Sequence, residues 1–171
     1  MSEAEPLGPV VARIAGEADA ENVRGLTCAG RRPRFAETAQ KVIRRCGRAL
    51  AGDLDPGAGF RCLLFEVANQ ASAMELVAVS ALRDAPAEAT ADWIVMGIAK
   101  PFQGRRLEDG RSLAVAIAEE TMRHAAAAGY RRVVAMVHRD HATSLHILKR
   151  LEFTDAGELG DDYLLLAAEL A

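Results

Sequence analysis

Residues 98–113 read Ile98-Ala99-Lys100-Pro101-Phe102-Gln103-Gly104-Arg105-Arg106-Leu107-Glu108-Asp109-Gly110-Arg111-Ser112-Leu113. The stretch starts at the end of an apolar run and passes through a turn rich in Gly and Arg. It then enters an Ala-rich segment, 110–128, whose apolar spacing is helical. A strand that turns into a helix this way leaves backbone N–H groups unpaired at the helix start. Guanidiniums flanking the turn add positive charge there. The turn is therefore a candidate cradle for a pyrophosphate. It is not a P-loop, since no Gly-Lys-Ser/Thr follows, and not a dinucleotide fingerprint, since it has no G-x-G-x-x-G. A plain connection with solvated arginines is the competing reading.

Downstream of this turn, Gly129 is a natural helix stop and 131–137 is a compact apolar strand. Strand, helix and strand at this spacing form a βαβ unit, so 92–99 and 131–137 are expected to run parallel. Upstream, 61–69, 75–82 and 92–99 are β-rich segments with short links, which predicts an antiparallel meander. Before them, Phe35, Ala39, Val42, Ile43, Cys46 and Leu50 recur at helical spacing, with Lys41, Arg44, Arg45 and Arg48 between them, giving an amphipathic helix over 35–51. Residues 10–14 read as a first strand, 16–30 hold one modest helical stretch, and 52–59 are rich in breakers. A last helix at 142–151 leads to a final strand at 163–168. The class is mixed α+β, without internal repeats, in a single domain 1–171 whose first residues, 1–9, are expected to be loose.

The chain has 171 residues, of which 50% are hydrophobic and 26% charged, and a net charge of −3, a composition that excludes disordered, collagen-like and coiled-coil classes. No apolar run approaches the roughly 20 residues of a membrane-spanning helix, and the first residues are acidic rather than basic and then apolar, so neither a span nor a signal peptide is expected. Three cysteines, Cys28, Cys46 and Cys62, show no C-x-x-C spacing, which points to reduced thiols in a cytoplasmic protein. Between Arg24 and Arg48 eight basic residues stand against one acid, Glu37. Their placement on one helix face reads as a solvated surface, and without interleaved aromatics nucleic-acid binding is not expected.

With these elements in place, the quoted segment resembles the signature of the GNAT superfamily of acyl-CoA-dependent N-acyltransferases, Gln/Arg-x-x-Gly-x-Gly/Ala between the fourth strand and the next helix. Gln103-Gly104-Arg105 matches its beginning and Gly110-Arg111-Ser112-Leu113 its end, with a longer loop between. A second stretch, Val137-His138-Arg139-Asp140-His141-Ala142-Thr143-Ser144 followed by Leu148-Lys149-Arg150-Leu151-Glu152-Phe153, is similar to the family's end-of-strand, Asn, small-residue helix and Leu-Gly-Phe sequence. The resemblance spans 92–153. It implies a GNAT-like fold that binds acetyl-CoA or a related acyl-CoA as cosubstrate and transfers the acyl group to an amine by direct attack in a ternary complex. It further implies that Ile98 and Lys100 pair their backbone with the pantetheine arm, that Gln103, Gly104, Arg105, Arg106, Gly110 and Arg111 hold the pyrophosphate, and that Ser144 faces the cofactor. Strands parting after Ile98 would make the slot. His141 stands in the Asn position, Leu148 in that of the Tyr that protonates the leaving thiolate, and Glu152 in that of the Gly before Phe.

Amine acylation needs a neutral amine, a polarised thioester carbonyl and a proton for the departing thiolate. Asp92, Glu75 and Glu66 are candidates for a water-linked base. Asp92 is favoured because it shares side-chain parity with Ile98; an exposed carboxylate is the alternative. By the resemblance, the Ile98 N–H polarises the carbonyl. His141 is the candidate proton donor in place of the missing Tyr, against the plainer reading of a polar residue in a helix's first turn. No Cys or acid completes a metal set around His138 and His141, so no metal is expected. The rival to an enzyme is a domain that keeps the fold and serves as a CoA-sensing or protein-binding module. The acceptor is expected to be a small-molecule or peptide amine. No membrane partner is expected, and a homodimer is compatible with the sequence.

Overall fold

The computed structural model describes residues 5–28 and 33–171. Strands β1 (Val11–Ile14), β2 (Arg61–Ala68), β3 (Met74–Asp84), β4 (Thr90–Ile98), β5 (Arg132–His138), β6 (Thr154–Leu159) and β7 (Tyr163–Glu169) form one sheet in the order β1-β2-β3-β4-β5-β7-β6. β1 to β4 pair antiparallel, β4 and β5 parallel, and β7 lies antiparallel between β5 and β6. The helices are α1 (Ala20–Gly25), α2 (Pro33–Leu50), α3 (Leu113–Ala127) and α4 (Ala142–Arg150). The meander, the βαβ unit and the α+β class stand as the sequence predicts. β6 is additional. Its Thr-Asp-Ala-Gly-Glu-Leu is exposed at every position, so no apolar alternation marks it, and it exists by pairing with β7 at the sheet edge.

α3 and α4 cover one face of the sheet. Ala118, Ala125, Ile147 and Leu148 pack with Trp93, Val133 and Ala135, while Leu113 and Ile117 pack with Phe65, Val77 and Ala78. α1 and α2 cover the other face, where Val23, Ile43 and Cys46 meet Cys62, Leu64, Val79 and Val95. The apolar stripe of α2 is thus half-buried to buried, with Ile43 and Cys46 fully covered, and Lys41, Arg44, Arg45 and Arg48 are exposed. The looseness expected of residues 1–9 is corrected over its described part: Leu7 is buried, its N–H donates to Arg106 O at 2.9 Å, and its carbonyl accepts from Glu108 N–H at 3.0 Å. Residues 1–4 lie outside the described residues.

Two local features fix the ends of the site. Ser112 caps α3, accepting from Val115 N–H at 3.2 Å. α4 closes with Phe153 N–H donating to Leu148 O at 3.0 Å, which requires a left-handed residue between, and Glu152 supplies it at φ +62°. Replacing Glu152 with Gly removes a Cβ from that conformation. Glu152→Gly is expected to stabilise the fold by about 1 kcal/mol, read as a higher melting temperature.

Elsewhere, Arg13 on β1 bridges Asp19 (2.7 Å), ahead of α1, to Glu66 (3.0 Å) on β2. The Arg13 guanidinium and the Gly16 N–H hold the Asp19 carboxyl down to about 2. A carboxyl depressed in the folded state stabilises above its unfolded value and stops doing so as pH falls through its folded value. The melting-temperature gap between the parent and Asp19→Asn is therefore expected to be widest above pH ~4 and to close on acidification toward pH 2.

Candidate acyl-transfer cleft

β4 and β5 stay paired only from Thr90↔Arg132 to Trp93↔Ala135. The next residue of β4 is a bulge: Leu82 faces Trp93 and Ala81 faces Val95, leaving Ile94 extra. The bulge turns β4 away, while β5 continues along β7 as far as His138↔Tyr163. The sheet therefore parts at Ile94, earlier than the Ile98 expected from sequence. A cavity of about 120 Å³ opens there, lined by residues 93–96 of β4, 135–137 of β5, and Ser144, Ile147 and Leu148 of α4. At its base the Trp93 indole N–H donates to Ser80 Oγ (2.8 Å), and the Ser80 hydroxyl lies 3.1 Å from that of Thr121 on α3.

The bulge also breaks the parity on which Asp92 was favoured. Trp93 packs on the α3 side with Ala118, and so do Met96 and Ile98 beyond the bulge. Asp92 falls on the opposite face, opposite Arg83, whose Nε donates to its carboxylate at 3.0 Å. It does not share a face with Ile98. Among the other carboxylates considered, Glu66 is bound to Arg13 and Glu75 is exposed.

The open edge of β4 carries usable backbone groups. Ala99 N–H donates to Val77 O at 2.8 Å, so Ile98 and Ala78 form a non-hydrogen-bonded pair, and the N–H and C=O of Ile98 point away from β3 into the gap. Met96, opposite Ser80, is oriented alike. The Gln103 side chain donates to Ile98 O at 3.0 Å. Lys100 is corrected: its N–H donates to Thr27 O at 3.0 Å, so Met96 and Ile98, not Ile98 and Lys100, present the edge.

The following loop makes a short 3-10 turn, Lys100–Phe102, and then a narrow excursion closed by an Arg106↔Ser112 bridge. Its guanidiniums disperse instead of converging. Arg105 donates to Glu5 O, Arg106 to Gly110 O (2.8 Å), and Arg111 pairs with Asp109 and Glu119 (both 2.7 Å). Gly104 and Gly110 take φ +75° and +85°, conformations that favour glycine. Among the described residues the N–H groups of Gly104, Arg106 and Ser112 are left without a hydrogen bond at the approach to α3. The donors that the turn leaves open are thus backbone N–H groups.

At the far side of the cleft His141 caps α4, its Nδ1 accepting from Ser144 N–H at 3.4 Å. Its Nε2 lies 3.3 Å from Ser144 Oγ. Phe35, from the start of α2, stacks on the His141 ring at 4.4 Å, and the neighbouring Arg34 bonds Asp140 at 2.8 Å. The sequence marks Phe35 only as part of the apolar stripe of α2 and Arg34 not at all, because their partners lie more than a hundred residues away. Leu148 is buried against the cavity. Burial pushes the Cys28 thiol up, and among the described residues no group of His, Cys, Asp and Glu is placed to hold a metal ion.

No family model and no curated protein sequence matches the chain. Its fold is matched by solved structures. A GNAT-family acetyltransferase from Streptococcus pneumoniae is 16% identical, with 95% of this chain and 100% of that one covered at a TM-score of 0.61. A mutant of the spermidine N-acetyltransferase SpeG from Vibrio cholerae is 13% identical, with 94% and 93% covered at 0.66. An IAA acetyltransferase from Bacillus cereus is 12% identical, with 95% and 100% covered at 0.59. The chain has the GNAT fold.

On the α2 side of the cleft, β4 meets the helix at Gly97, where an added Cβ would lie 2.4 Å from Ile43 Cδ1 and 3.5 Å from Cys28 Sγ. Ile43 is fully buried, so it has little room to give. Gly97→Val is expected to cost about 1–3 kcal/mol by overpacking, measured by denaturant unfolding.

Proposed function

We propose that this chain binds an acyl-CoA, acetyl-CoA in the simplest case, in the gap between β4 and β5 and transfers the acyl group to an amine. The observation that carries the reading is the unpaired β4 edge beside an apolar cavity at a strand break. An extended ligand rich in amides can add to the N–H and C=O of Met96 as a further strand would. The N–H groups of Gly104, Arg106 and Ser112, ahead of the α3 N-terminus, suit a pyrophosphate. Bound there, a thioester supplies an activated acyl group. The chain's own part is to hold it extended, to offer the Ile98 N–H to its carbonyl, and to exclude water with Trp93, Ile147 and Leu148. The amine is a small molecule or a peptide terminus approaching from the α2 side, where Phe35, Met136 and His138 stand. The buried free thiols of Cys28, Cys46 and Cys62 fit a cytoplasmic setting.

Leu148, which has no proton to give, favours a second reading, a domain that binds CoA without turnover. Calorimetric titration with CoA and acetyl-CoA tests the shared core of both. Binding is expected, and Arg106→Glu, which puts an anion beside the open amides, is expected to weaken it about tenfold. Absence of binding overturns both readings; binding with no loss of acetyl-CoA across a panel of amines leaves the second.

A further inference from the structure

Among the described side chains lining the β4–β5 cavity, Ser144 carries the one hydroxyl, and the Trp93 N–H is already committed to Ser80 and the Val95 carbonyl. Two contacts tie Ser144 to His141. His141 Nδ1 accepts from the Ser144 N–H, and with Nδ1 so engaged we assign the ring proton to Nε2. Nε2 then donates to Ser144 Oγ at 3.3 Å, and the hydroxyl's own proton is left to point elsewhere. Nε2 in this tautomer has no lone pair with which to take the Ser144 proton, so the pair is not a nucleophile and its base.

We propose that Ser144 is a catalytic residue that donates a hydrogen bond to the sulfur of the departing thiolate, and that His141 is the positioning residue that turns the hydroxyl toward it. This rests on the acyl-CoA reading above. The amine nitrogen forms a bond to the acyl carbon as the carbon–sulfur bond breaks. The sulfur leaves with the electron pair, and the amine's surplus proton passes to water. Ser144 keeps its proton, since an alcohol is a far weaker acid than a thiol of pKa about 8.5. It stabilises the anion as an oxyanion-hole donor does. Leu148 supplies no such donor, and Ser144, one turn earlier on α4, reaches the same cavity.

The test needs no acceptor. CoA is bound to the parent protein, and its thiol is titrated by thiolate absorbance against a blank titration with acetyl-CoA, which has no thiol. A hydrogen bond to the thiolate is expected to raise the acid dissociation constant of the bound thiol about tenfold in the parent relative to Ser144→Ala. Ser144→Thr, which keeps the hydroxyl, is expected to stay near the parent. His141→Asn, which keeps a helix-capping side chain and lacks the ring N–H, is expected to move toward Ser144→Ala with CoA affinity unchanged. CoA bound to Ser144→Ala with the same thiol pKa as in the parent overturns the proposal and leaves the acyl-CoA reading standing. A parent that does not bind CoA overturns that reading, and this proposal with it.

Discussion

Everything at the cleft depends on where β4 stops pairing with β5. Two strands in register would satisfy each other's backbone and leave no room for a ligand. Here the bulge at Ile94 ends the ladder at Trp93↔Ala135. Unpaired backbone groups inside a fold are costly, and two open edges facing each other would ordinarily close. What keeps them apart is committed elsewhere: β4 remains bound to β3, β5 to β7, and the base of the gap is filled by Trp93, held through Ser80 to Thr121 on α3. A buried, satisfied polar chain of this kind fixes one arrangement of α3 against the sheet. The opening is a property of the whole sheet, not of a flexible loop.

The turn after β4 shows the same preference for backbone over side chain. Arg105 and Arg106 donate to the backbone carbonyls of Glu5 and Gly110, Arg111 pairs with Asp109 and Glu119, and the return of Leu7 alongside Leu107 stiffens the longer loop from outside. Amides fixed by secondary structure keep their direction without the entropy cost of immobilising a long guanidinium. Exposed ion pairs such as Arg111 with Glu119 contribute little stability themselves. Their effect is to hold the Arg111 guanidinium against carboxylates, while that of Arg106 stays at the turn on Gly110 O.

Which features were legible in the sequence follows from this physics. The helices were readable from an apolar period set by one buried face, and β2 to β5 from apolar and β-branched runs bounded by turn residues, β2 and β3 being buried on both faces. β6 was not, since an edge strand exposed at every position has no period to read. The bulge was invisible because Trp93-Ile94-Val95-Met96 is apolar throughout, so a shift of one residue leaves no trace in the pattern, and the parity argument for Asp92 failed with it. The βα junctions on either side of the cleft were visible through Gly104, Gly110 and His141. The contacts that finish the site, Phe35 on His141 and Arg34 on Asp140, join residues far apart in the chain and become readable only once α2 is laid across the sheet.

The three positions where the chain departs from the pattern it resembles lie along one short helix, and each acts on a different physical quantity. His141 sits at the N-cap, where its ring satisfies a backbone donor and lies 3.3 Å from the Ser144 hydroxyl. Leu148 lies in the buried middle, where an apolar side chain packs with Trp93 and Phe153 and makes the cavity drier than a phenol would. Glu152 lies just past the end, where it adopts a backbone angle that costs it stability. A drier cavity strengthens any hydrogen bond made inside it, because the competing water is gone. Leu148 and the Ser144 hydroxyl line that one cavity, so the apolar side chain bears on any hydrogen bond the hydroxyl makes there. The strained turn at Glu152 lies outside that coupling and bears on the stability of the fold alone.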